Sequence, residues 1–146
     1  MIVLASLLSA VLLLITALHV YWGIGGIWPG RDAASCAGAV VGFEGMDEMP
    51  SPLACFAVAA CFLLTTLWPM AIISAFATPF PPEGLVLVAL VIGLTFLARG
   101  VLGFTPQWRR LTPREPFATL DVKFYSPLCL LLGCGFLFLA AGGFSA

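Results

Sequence analysis

Charge is what this sequence has least of. Six Lys and Arg and seven Asp and Glu are spread over 146 residues, 9% of the chain, whereas soluble domains carry about a quarter. That scarcity excludes an ordinary soluble domain. There is no basic stripe and no basic tail, which excludes nucleic acid as a partner. Only one histidine is present, so a haem would find one imidazole ligand and no second. The five cysteines, Cys36, Cys55, Cys61, Cys129 and Cys134, form no C-x-x-C pair, so neither a thioredoxin-like nor a zinc reading is supported. Cys55, Cys61, Cys129 and Cys134 read as small apolar packing residues. Cys36, in a connector, is the one expected to be reactive. No Lys or Arg precedes the first apolar run and no Ala-x-Ala site follows it, so that run is expected to be retained rather than cleaved as a signal.

What remains is apolar. Hydrophobic residues make up 62% of the chain and the mean hydropathy is +1.12. A spanning helix needs about 20 apolar residues, and four such runs are joined by short polar connectors. The expected fold is all-α, an integral membrane four-helix bundle in one domain over 1–146, with spans near 2–28, 52–76, 84–104 and 127–144.

In the first span, Ser6, Ser9, Thr16, His19, Gly23 and Gly26 recur at steps of three, four and seven. They trace one helical stripe, suited to close helix contact. Trp28-Pro29-Gly30 is expected to end the helix. The connector to Pro50 is acidic, with an apolar middle, Ala33 to Phe43, placed at the interface. Its Met46-Asp47-Glu48-Met49 reads as a solvated loop, because two thioethers without a His or Cys nearby are poor metal ligands. Ser51-Pro52 reads as a cap followed by a first-turn proline, and Ser126-Pro127 repeats the pattern at the fourth span. Pro69 should kink the second span, with Thr65 and Thr66 placed to satisfy freed carbonyls. Ala89, Gly93 and Gly100 give the third span a small-residue face.

The first and third connectors, together with Arg99, hold every Lys and Arg. By the positive-inside rule those connectors are cytoplasmic and both termini lie outside. Along a helix rising 1.5 Å per residue, His19 lies about 13 Å inward of Trp28, and Arg99 about 13 Å inward of Trp108. Equal depth suggests one polar pocket open to the cytoplasm, lined by Thr16, His19, Tyr21 or Trp22, Thr95, Arg99, Asp121 and Tyr125. The plainer reading is that Arg99 snorkels to the headgroups and His19 satisfies a carbonyl. The matching depth favours the pocket. A buried Arg99 also calls for an acid, and Asp121 is the first candidate, with Glu44 in reserve.

Three segments carry a family resemblance. His19-Val20-Tyr21-Trp22-Gly23-Ile24-Gly25-Gly26-Ile27-Trp28-Pro29 resembles an H-x-Y-W-x-x-G-G-x-W-P opening. Leu97-Ala98-Arg99-Gly100 resembles an L-R-G element. Phe117 to Leu130 resembles a closing segment with the pattern D-x-x-x-Y-S-P-L-C-L. These are motifs of a family of small bacterial four-span membrane proteins, domain of unknown function 3995. The resemblance implies a multi-pass protein of the bacterial inner membrane and brings no activity, cofactor or catalytic residue with it.

Three functions are open on the sequence. One is a binding protein in which His19, Tyr21, Trp22, Thr95, Arg99, Asp121 and Tyr125 hold a lipid headgroup or quinone-like molecule. Another is an accessory subunit of a larger membrane complex, with a partner helix on Gly23 and Gly26. The third is a lipid-modifying enzyme with His19 as base, for which only Asp121 offers an orienting acid. A channel is disfavoured, because no span is polar along its whole length.

Overall fold

The computed structural model describes residues 1–143. Its helices are α1 (Ile2–Gly23), α2 (Ala33–Val40), α3 (Pro52–Ile72), α4 (Pro82–Leu102), α5 (Pro106–Leu111), α6 (Phe117–Leu120) and α7 (Ser126–Gly143), with a π-helical turn over Asp121–Tyr125. α6, the π turn and α7 run on as one rod. That rod, α1, α3 and α4 are each long and apolar enough to cross a membrane. The chain is an all-helical, multi-pass membrane protein.

Side-chain contacts give the directions. Gly23 meets Phe56 near one end of the α1–α3 pair, and Ser9 bonds the Thr66 carbonyl (2.8 Å) further along, so the two helices are antiparallel. Gly100 against Leu130 and Gly93 against Leu137 make α4 and α7 antiparallel in the same way. These are the two tightest pairs. They join through a core of Leu8, Leu12, Ala89, Phe136 and Leu139, while Leu14, Leu64, Val91 and Leu131 point outward. In a membrane that outer surface meets lipid rather than water, so its apolar character is expected.

Local chemistry fixes the ends. α1 stops at Gly23, short of the expected Trp28, because Gly25 takes φ +95°, a left-handed residue that ends a helix. The Ser51 hydroxyl accepts from the Ala54 N–H and Pro52 opens α3. Buried Pro69 lies inside α3 and cannot donate to the preceding turn. Thr65 and Thr66 donate to the carbonyls of Cys61 and Phe62. It is Ser9, from the neighbouring helix, that reaches the Thr66 carbonyl in the turn before the proline.

The rod of the fourth span starts at Phe117, ahead of the expected Ser126-Pro127, so Asp121 to Tyr125 are helical rather than part of a connector. Ser126 is therefore not a cap. Its expected far end, Phe144, lies outside the described residues. The apolar middle of the first connector folds as α2, capped by Asp32 and Ser35 bonding reciprocally across the first turn, an arrangement that satisfies otherwise unpaired N–H groups.

Candidate functional site

Two polar constellations lie towards the basic end of the bundle, and the expected site residues divide between them.

The first is centred on Asp121, only 2% exposed. Its Oδ1 accepts from Arg99 Nη2 at 2.6 Å and from the Ser126 hydroxyl at 3.1 Å. Its Oδ2 accepts from Trp108 Nε1 at 2.9 Å. Arg99 also donates to Ser126 (3.2 Å), and its guanidinium lies 4.5 Å over the Trp108 ring, a cation–π distance. The π turn makes this possible. In an α-helix a residue five positions on points well away. Here the Ser126 N–H bonds the Asp121 carbonyl, an i→i+5 link that sets the Ser126 hydroxyl beneath the carboxylate. Gly103 completes the fit, because a Cβ there would sit 1.7 Å from Ser126 Oγ. The carboxylate has three donors and the arginine charge is neutralised, so the cluster is closed on itself.

The second is centred on His19. Its Nδ1 lies 2.8 Å from the Ile15 carbonyl. A carbonyl only accepts, so Nδ1 carries the proton and a neutral ring leaves Nε2 as an acceptor. Trp22 meets the imidazole edge-on at 5.1 Å and Phe62 lies at 5.4 Å. The ring borders a cavity of about 130 Å³ whose other walls are Trp22, Val40, Val41, Met49, Pro50, Ala54, Cys55 and Val58. Arg99, Thr95, Asp121 and Tyr125 do not line it.

The remaining expected site residues are committed to bonds within the protein. The Thr95 hydroxyl donates to the Val91 carbonyl one turn back on an exposed face, and Thr16 donates to Leu12 in the same way. Tyr125 donates to the Ala39 carbonyl at 3.1 Å and so ties α2 to the π turn. Tyr21 and Trp22 hold the turn after α1. Trp22 Nε1 donates to the Trp28 carbonyl at 2.7 Å, the Trp28 N–H reaches the Tyr21 hydroxyl at 3.4 Å, and the Tyr21 ring lies where a Cβ on Gly26 would be. Gly26 is thus covered by Tyr21, and Gly23 faces the Phe56 ring, so both glycines pack within the chain.

Cys36 corrects an expectation. It is wholly buried, its thiol points to the Trp28 carbonyl, and burial pushes the thiol pKa up. That is the environment of an inert cysteine. Trp108, Ser126 and Gly103 were not legible as partners of Arg99. The one sequence signal was Asp121 and Ser126 five apart, a spacing that has meaning only once a π turn is known.

A family model described as a protein of unknown function (DUF3995) matches residues 12–136, and the chain belongs to that family. No curated protein matches it, and no solved structure matches it.

Proposed function

We propose that this member of the DUF3995 family binds a small amphipathic molecule, with a hydroxyl-bearing head against His19 and an apolar tail in the bilayer. A quinol is the ligand class that fits. One observation carries the reading: a lone imidazole, its Nδ1 tied to a carbonyl, borders a cavity with otherwise apolar walls. Such pockets combine apolar walls with a few polar groups that fix orientation. Nε2 of the neutral ring accepts, so the reduced, hydroxyl-donating head is preferred over the quinone, whose carbonyl needs a protonated imidazole.

An anionic head on Arg99 has less support, because Asp121 already neutralises that charge. Arg99, Asp121 and Tyr125 are assigned to holding the ends of the helices in register. A catalytic role for His19 lacks an orienting acid, since its Nδ1 bonds main chain and Asp121 is occupied. The protein is placed in a bacterial inner membrane with its basic end in the cytoplasm, on the positive-inside rule.

The test is binding of a ten-carbon-tailed ubiquinol to the purified protein in mild detergent, followed through quenching of tryptophan fluorescence. Saturable binding to the native chain, lost in His19→Ala with the helical content unchanged, is expected. Equal binding by both proteins, or none by the native chain, would overturn the reading.

A further inference from the structure

We propose a second site, for the phosphate of an anionic phospholipid, between α5 and the start of the fourth-span rod. A cavity of about 340 Å³ lies there, lined by Phe104, Arg109, Ala118, Thr119, Val122 and Lys123. Two of its six lining side chains are cations and none is an acid.

Neither cation is spent within the protein. The ion pairs among the described residues are Arg99–Asp121 and Arg114–Asp47. Arg109 uses one guanidinium N–H on the Ala118 carbonyl at 3.3 Å. That bond anchors the side chain across the cleft and leaves its other donors available. Among the described residues Lys123 has no ion-pair or hydrogen-bond partner. The acid beside the site, Glu115, bonds the main-chain N–H and hydroxyl of Thr119 and pairs with neither cation; it keeps its charge, and the two cations outnumber it.

The surroundings select a lipid rather than a free ion. Lys123 belongs to a rod apolar enough to cross the membrane, and exposed Phe124, Leu102 and Phe104 lie beside the cavity in sequence or line it. Cations at the apolar–polar boundary match an anionic head whose chains lie along the adjoining apolar surface. Arg109 supplies a planar fork for phosphate oxygens and Lys123 a point charge. The site shares no residue with the His19 cavity and does not depend on it.

The experiment is thermal unfolding of the full chain in neutral detergent, titrated with dioleoylphosphatidylglycerol, with dioleoylphosphatidylcholine and with inorganic phosphate. Phosphatidylglycerol should raise the melting temperature saturably, and the other two should not. Loss of one surface charge near anionic lipid weakens binding about fivefold, so Lys123→Gln and Arg109→Gln should each raise the half-saturating lipid concentration by about that factor. Arg110→Gln, outside the cavity lining, should raise it clearly less than either, since it removes only a more distant charge. Lys123→Gln is the safer variant because it removes no internal bond. An equal shift with phosphatidylcholine, a full shift with inorganic phosphate alone, or a titration unaltered in Lys123→Gln would overturn the proposal.

Discussion

Arg99 Nη2 and Asp121 Oδ1 stand 2.6 Å apart and bind the end of the third span to the start of the fourth. The pair is asymmetric: the Asp121 side chain is 2% exposed and that of Arg99 29%. Burying a carboxylate without compensation is costly, and three donors meet that cost here. Removing one partner of a buried pair is more damaging than the net worth of the pair, because the other charge is left stranded.

Asp121→Asn should therefore destabilise the protein in detergent by about 2 kcal/mol, the usual figure for a broken buried pair discounted for the part-exposed arginine. Arg99→Gln should cost a similar amount or more, since the buried carboxylate is then left short of a charge. The double variant should cost less than the sum. Additive losses in a denaturant titration would show that the two groups do not interact.

Gly103→Ala should destabilise the fold by about 1–3 kcal/mol, the range for forcing extra volume into a filled site. The cause is the meeting with Ser126, whose Oγ and Cβ would lie 1.7 and 2.8 Å from the new methyl. Ser126→Ala, which removes the Oγ, should relieve most of the clash, and Ser126→Gly, which removes the Cβ as well, should relieve the rest. Thermal melts of the four proteins decide the matter. A loss from Gly103→Ala that is as large in the Ser126→Ala background as in the native chain would mean that the clash is wrongly located.

Cys36 should resist alkylation. In a variant with the other four cysteines replaced by alanine, its rate with a maleimide at pH 8 should be at least about tenfold below that of an exposed thiol, since the thiolate is the nucleophile and both burial and a raised pKa suppress it. Labelling should become fast in dodecyl sulfate. Fast labelling of the native protein would contradict the buried placement.

Asp32 gives a pH dependence of known sign. The Ser35 hydroxyl and then its N–H hold the Asp32 carboxyl below the ordinary range. A depressed folded value means that the cap's contribution is fully present above the unfolded value of about 3.9 and is lost as the pH falls through the folded value. Hydrogen exchange at the Ser35 amide, corrected for its intrinsic rate, should accelerate only below about pH 4. A transition centred near neutral pH would assign the protection to another group.

Much of this was legible in the sequence, and the rest was hidden for physical reasons. Apolar run length was enough for the four spans, and the expense of a buried arginine was enough to point from Arg99 to Asp121. Depth along the membrane was not enough to place His19 beside Arg99. Depth is one coordinate, and the bundle pairs α1 with α3 and α4 with α7, which sends the two residues to different constellations. Tyr21 and Trp22 looked like pocket walls. Tyr21 clasps the turn after α1 and Trp22 does both, because Gly25 ends that helix early and the chain folds back on the aromatic pair. The π turn left no mark in hydrophobic periodicity, so Ser126 read as a cap when it is a partner of the buried carboxylate.

A single histidine makes the decisive measurement unambiguous: nitrogen NMR of the protein labelled with ¹⁵N only at histidine. In neutral detergent at pH 8, the Nδ1-protonated tautomer with an unprotonated Nε2 is expected, because Nδ1 bonds the Ile15 carbonyl at 2.8 Å. Titration with the ten-carbon-tailed ubiquinol should then shift the Nε2 resonance as it accepts the quinol hydroxyl, with Nδ1 moving little. A proton on Nε2 instead, or an Nε2 resonance indifferent to the quinol, would contradict the account.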